Sequence, residues 1–165
     1  MENSLFRAAE IMDMAIAIEE DGRALYQSCV SDQFDPRVQE VFKYMVAQEK
    51  EHICIFRQMR DGLPDYELPE TYPGEMADYI ATFVQQRVFD EPELSGESCR
   101  AFADHDEAID TALELERRSI LFYSAMSSVV RESEQAAIEK IIAQEHLHIR
   151  RLLQLRRELE GRSEK

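Results

Sequence analysis

The sequence predicts an all-α fold, a four-helix bundle made of two helix hairpins joined by a long crossover containing a short helix. Three observations predict it. Gly and Pro are scarce, five of each in 165 residues. Apolar residues recur at intervals of three and four, the period of a helix with one buried face. The chain also repeats itself. Ala47-Gln48-Glu49-Lys50-Glu51-His52 returns as Ala143-Gln144-Glu145-His146-Leu147-His148, 96 residues later, and Ala15-Ile16-Ala17-Ile18-Glu19 with Tyr26 returns as Ala112-Leu113-Glu114-Leu115-Glu116 with Tyr123, 97 residues later. Two copies indicate a duplicated hairpin, because a solenoid needs three or more.

The first helix is expected over about 4–30, with Ser4 as its N-cap and Met12, Ala15, Glu19, Gly22 and Tyr26 on its inner face. Residues 31–36 read as a loop in which Asp35 caps and Pro36 opens the second helix. That helix carries Phe42, Met45, Glu49, His52, Phe56 and Met59 on one stripe and should stop near Gly62. Pro64, Pro69, Pro73 and Gly74 then mark a crossover over about 63–98, with a short helix near 75–88 whose apolar side is Met76, Tyr79, Ile80, Phe83 and Val84. The third long helix is expected over about Cys99 to Val130, with Ile109, Ala112, Glu116, Ser119 and Tyr123 facing inward. The fourth is expected over about Ser133 to Glu160, with Ile138, Ile141, Glu145, His148, Leu152, Leu155 and Leu159 inward and Gly161 as its stop. Residues 1–165 thus read as one domain, with hairpins over about 4–62 and 99–161.

Composition narrows the function classes. Apolar residues are 44% of the chain, enough for a core, and the net charge is -15. So acidic a chain is a poor partner for nucleic acid or an anionic membrane. No stretch is long enough to span a bilayer, and no cationic, apolar leader opens the chain. Cys29, Cys54 and Cys99 form no C-x-x-C pair, which suggests a reducing compartment, the cytoplasm, with all three as small buried hydrophobes. Three thiolates cannot supply a four-cysteine iron centre.

The repeat carries the chemistry. Each half offers a lone Glu within an apolar helical stretch and, about thirty residues on, a Glu-x-x-His. Glu and His three apart share a helical face, about 5–6 Å between Cβ atoms, so one helix can offer both to neighbouring cations. Four carboxylates and two imidazoles projecting inward from four helices form the ligand set of a two-metal carboxylate site. Glu49 and Glu145 are the natural bridging ligands, Glu19 and Glu116 the terminal ones, and His52 and His148 would each serve one metal. Mixed carboxylate and imidazole ligation suits iron or manganese, with zinc as a further substitute. The alternative is a metal-free polar core, which would bury four bare carboxylates at a cost of many kcal/mol or force their protonation.

Tyr26 and Tyr123 lie two turns past the lone glutamates on the same face. They could hydrogen-bond a liganding carboxylate or pass an electron to an oxidised metal, or simply fill the core. Gly22 and Ser119, one turn past Glu19 and Glu116, leave room for dioxygen or peroxide, or allow close helix packing. His146 lies off the inward face and His105 three turns from Glu116, so neither is expected at the site.

With these residues in place the chain resembles the ferritin-like superfamily, and within it the rubrerythrin group. The resemblance rests on Glu19 with Tyr26, Gln48-Glu49-Lys50-Glu51-His52, Glu116 with Tyr123, and Gln144-Glu145-His146-Leu147-His148, and it covers nearly the whole chain. It implies a ferritin-like bundle holding two iron ions that reacts with hydrogen peroxide or dioxygen, often as a homodimer, in defence against oxidative stress. Rubrerythrins usually append a rubredoxin-like iron domain. Without one in these residues, a peroxidase would draw electrons from an external donor such as a rubredoxin-type protein. Rubrerythrins also carry an extra glutamate one turn after the third-helix ligand, where this chain has Ser119, leaving a plainer set of six ligands. The alternatives are a ferroxidase that handles iron through the same site, and a non-catalytic iron-binding interaction module.

Overall fold

In the computed structural model, residues 8–63, 102–127 and 130–163 are described. They form four α-helices and no strand: α1 (Ala8–Ser28), α2 (Pro36–Gly62), α3 (His105–Ser127) and α4 (Glu132–Ser163). Each hairpin, α1 with α2 and α3 with α4, packs closely within itself. The two join through α2 against α4 and α1 against α3. The crossover and its short helix, the proposed cap Ser4 and Cys99 lie outside the described residues.

The helix starts follow local chemistry. Asp35 caps α2, its side chain accepting from the Arg37 backbone N–H at 2.9 Å, and Pro36 stands at the first helical position, where its missing N–H costs nothing. The third helix starts at His105, later than the expected Cys99, because residues 104–107 form a reciprocal cap. Asp104 Oδ1 accepts from Glu107 N at 2.9 Å, and Glu107 Oε2 accepts from Ala103 N at 2.7 Å. The fourth helix passes through Gly161, the expected stop, to Ser163. Nothing lies within 4 Å of a Cβ at Gly161, so no tertiary contact forces a turn there.

The interior is layered along the bundle. Ile11, Met12, Phe56, Phe122, Ile138 and Ile141 belong to one apolar cluster, and Leu25, Phe42, Met45, Ile109, Leu152 and Leu155 to another. Between them, at mid-height on every helix, lies one polar layer: Glu19, Glu49, His52, Glu116, Glu145 and His148, each at most 3% exposed. The apolar layers hold the helices together at about 1.5–3 kcal/mol per fully buried large side chain. That rigidity confines the carboxylates to a place water does not solvate. Of the cysteines, Cys29 is buried, whereas Cys54, expected to be buried, is exposed on α2. It is two residues beyond His52, on the opposite side of the helix from the buried stripe.

Candidate metal centre

The helical register brings all six predicted ligands to one point. Glu19 comes from α1, Glu49 and His52 from α2, Glu116 from α3, and Glu145 and His148 from α4. They form two quartets, Glu19–Glu49–His52–Glu145 and Glu49–Glu116–Glu145–His148, and within each the candidate ligand atoms lie within 4.8 Å of one another. Glu49 and Glu145 belong to both. His52 Nδ1 is 3.4 Å from Glu19 Oε2, 3.4 Å from Glu49 Oε2 and 3.0 Å from Glu145 Oε1. His148 Nδ1 is 3.5 Å from Glu49 Oε1, 3.3 Å from Glu116 Oε1 and 3.2 Å from Glu145 Oε2. Each Glu-x-x-His carboxylate thus turns one oxygen to each imidazole, while Glu19 faces only His52 and Glu116 only His148. The imidazole rings stack with centroids 5.9 Å apart.

Electrostatics in this layer are severe. Burial and the charges of Glu19 and Glu145 push Glu49 well above the usual carboxylate range, and burial with the Glu145 charge does the same to Glu116. Burial pushes Glu145 the same way, but the close polar approach of Glu116, His148 and His52 outweighs that and holds it low. Burial alone would lower both imidazoles. The carboxylates around them reverse the sign, raising His52 strongly and His148 to about 9. Positive charge at the imidazoles is therefore what the carboxylates demand.

Residues 10–90 match the family model for rubrerythrin. A protein from Thermotoga maritima, assigned as ferritin-like and di-iron-carboxylate, has a similar structure at a TM-score of 0.64 with 25% identity, over 93% of this chain and 97% of that one. Residues 10–90, just under half of the chain, are thus similar to the rubrerythrin family. Among curated proteins, none matches the chain in sequence. The rubrerythrin match takes in Glu19, Glu49 and His52; Glu116, Glu145 and His148 lie outside it and are tied to the same site by the internal repeat and by the quartets that share Glu49 and Glu145. The bundle is the ferritin-like fold expected.

In this bundle the six residues fit a cation pair on their own chemistry. His52 Nδ1, His148 Nδ1, Glu116 Oε2 and Glu145 Oε1 are buried at the centre without a well-directed hydrogen bond. Each such atom costs about 1–3 kcal/mol unless something positive satisfies it. Two divalent ions would do so with the ligand types that iron or manganese prefers.

The tyrosines are placed by a crossed pattern. Tyr26 donates to Glu116 Oε1 at 2.6 Å, and Tyr123 donates to Glu19 Oε1, so each hydroxyl steadies the lone carboxylate of the other hairpin. Burial, followed by the charge of the carboxylate each one contacts, raises both phenols well above their usual range, keeping them protonated donors. Ser119 is buried one turn past Glu116. His146 is exposed, and His105 lies at the start of α3, 3.9 Å from Asp106. Sequence reasoning assigned no role to Gln144 and Tyr44, which lie beside His52 and His148 respectively, or to Gln48, which hydrogen-bonds with both Gln144 and Tyr44. The repeated Gln before each Glu-x-x-His was the available signal.

Proposed function

We propose that this protein is a di-iron oxidoreductase that reduces hydrogen peroxide, or dioxygen, with electrons from an external donor such as a rubredoxin-type protein. The observation that carries the reading is the shared use of Glu49 and Glu145. Each presents one oxygen to each imidazole, the disposition that two adjacent ions need from bridging carboxylates. Glu19 and His52 would complete one ion's ligand set, Glu116 and His148 the other's. When bound, the irons supply the two electrons and the Lewis acidity that cleavage of an O–O bond requires.

The chain's own residues do the rest. The apolar layers above and below exclude bulk water and keep the local dielectric low, so fixed carboxylates act strongly on whatever binds between them. Tyr26 and Tyr123 hold the two terminal carboxylates in orientation. Gly22 leaves space beside Glu49: a Cβ built there lies no closer than 3.5 Å to any neighbour, Leu115 Cδ2 being the nearest. Among the described residues no helix is long and apolar enough to cross a membrane.

The test is metal content after purification without oxygen, followed by stopped-flow absorbance on mixing the reduced protein with peroxide or with oxygen. About two irons per chain and faster oxidation by peroxide than by oxygen is the expected result. Faster oxidation by oxygen with continued iron uptake would instead assign iron handling to the same site. Absence of stoichiometric metal would overturn the reading altogether.

A further inference from the structure

The two imidazoles are equivalent in the repeat but not in their surroundings. Both turn Nδ1 toward the carboxylates and Nε2 away from them. His52 Nε2 lies 3.1 Å from Gln144 Oε1. With Nδ1 facing the centre as a ligand atom, Nε2 carries the hydrogen and donates it to that oxygen. Gln144 is itself held, its Nε2 donating to Gln48 Oε1 at 3.3 Å, and the same Gln48 oxygen accepts from the Tyr44 hydroxyl at 3.2 Å.

Strict symmetry would set Gln48 against His148 as Gln144 is set against His52. The structure departs from it. The Gln48 oxygen is taken by Gln144 and Tyr44, and His148 Nε2, wholly buried, has no hydrogen-bond partner among the described residues. What lies beside His148 is the edge of the Tyr44 ring, centroids 6.0 Å apart and planes at 89°. The symmetry breaks at one residue type: the position 96 residues after Tyr44 is Lys140, which is exposed. The carboxylate side is balanced by comparison, since each lone glutamate receives one tyrosine hydroxyl.

A hydrogen bond to the outer nitrogen of a liganding imidazole fixes its tautomer and ring orientation and raises its basicity, and losing such a bond typically weakens metal binding about 10–100-fold. We propose that Gln144 is a positioning residue that makes Glu19–Glu49–His52–Glu145 the tight metal position, leaving Glu49–Glu116–Glu145–His148 the exchangeable one. The inference rests on the metal-centre reading above. Ion exchange and redox-linked loss of metal would then begin at the His148 side.

The test is an anaerobic Co²⁺ titration of the metal-free full chain, read by visible absorption, for wild type, Gln144→Ala and Gln144→Glu. Two adjacent cations repel, so two unequal steps alone decide nothing; the informative quantity is which step each variant moves. Gln144→Ala should weaken the first step about 10–100-fold and leave the second within a few-fold. Gln144→Glu, which retains an acceptor for the Nε2 hydrogen, should restore the first step. Circular dichroism of the metal-free variants establishes that the bundle is intact. Equal weakening of both steps, or of neither, overturns the asymmetry while leaving the metal centre standing. Failure of wild type to bind Co²⁺ stoichiometrically overturns the metal-centre reading and this inference with it.

Discussion

Tyr26 and Glu116 are joined by a 2.6 Å hydrogen bond across 90 residues of sequence, the hydroxyl of one hairpin donating to the lone carboxylate of the other. With its counterpart from Tyr123 to Glu19, it stitches the hairpins together in the plane of the polar layer. The bond orients Glu116 toward His148 and leaves Oε2 unengaged at the centre.

Replacing that hydroxyl should therefore be felt by the metal. Tyr26→Phe leaves the ring in place but strips a buried carboxylate of its donor, a loss of about 1–3 kcal/mol. Affinity for the ion held by Glu116 should fall about tenfold or more, as measured by Co²⁺ or Fe²⁺ titration. Unchanged affinity would reduce Tyr26 to a core filler.

Metal loading should release protons. His148 is raised to about 9, and His52 is raised further, by neighbouring carboxylates, so at pH 7 both imidazoles hold a proton in the metal-free protein. Ligation through Nδ1 must expel it. Affinity should therefore fall in acid and rise with pH through about 9, where His148 loses its proton, and beyond it as His52 follows. Calorimetry in buffers of different ionisation enthalpy would count the protons, with at least one expected from each imidazole. A buffer-independent heat would contradict the ligand assignment.

Gly22 tests the space beside the site. A Cβ at this position would meet Leu115 Cδ2 at 3.5 Å, Tyr26 Cε2 at 3.8 Å and Glu49 Cδ at 4.0 Å, all ordinary contacts. Gly22→Ala should stabilise the helix by up to about 1 kcal/mol, a rise in Tm of about 2–4 °C for a chain of this size. Gly22→Leu, reaching toward Tyr26 and Glu49, should lower both Tm and metal uptake. A fall in Tm for Gly22→Ala would mean that close helix packing, and not spare room, explains the glycine.

The cysteines should differ in reactivity. Burial pushes the Cys29 thiol up to about 12, while Cys54 stands exposed. Alkylation at neutral pH followed by peptide mapping should label Cys54 in the folded protein and Cys29 only after unfolding. The raised thiol favours the folded state below the ordinary value of 9.0, and its contribution is lost as pH climbs from there toward about 12. Equal labelling of both in the native protein would show that the Leu25–Cys29 end of the bundle opens readily.

Much of the site was legible before folding because duplication writes it twice. A buried Glu is costly, so a Glu on the apolar stripe of each of four helices signals compensation by a cation, and a spacing of three places Glu and His on one face whatever else the chain does. Helix ends were less legible. The Asp104–Glu107 cap outweighed the apolar pattern upstream, and Gly161, with nothing packed against it, did not stop its helix. Cys54 was misplaced because residue type alone does not say which side of a helix a thiol occupies.

By itself the sequence determined the four-helix class, the six candidate ligands and their pairing within each helix, since these depend only on periodicity along one chain. Tertiary structure decided everything that depends on distance between helices. It crossed each tyrosine to the other hairpin's glutamate, and it divided the oxygens of Glu49 and Glu145 between two imidazoles. It also gave His52 a glutamine partner, where His148 meets the edge of the Tyr44 ring. The physical reason is that a repeat specifies equivalent residues, whereas the neighbours of each copy, Tyr44 in one place and Lys140 in the other, determine which hydrogen bonds form.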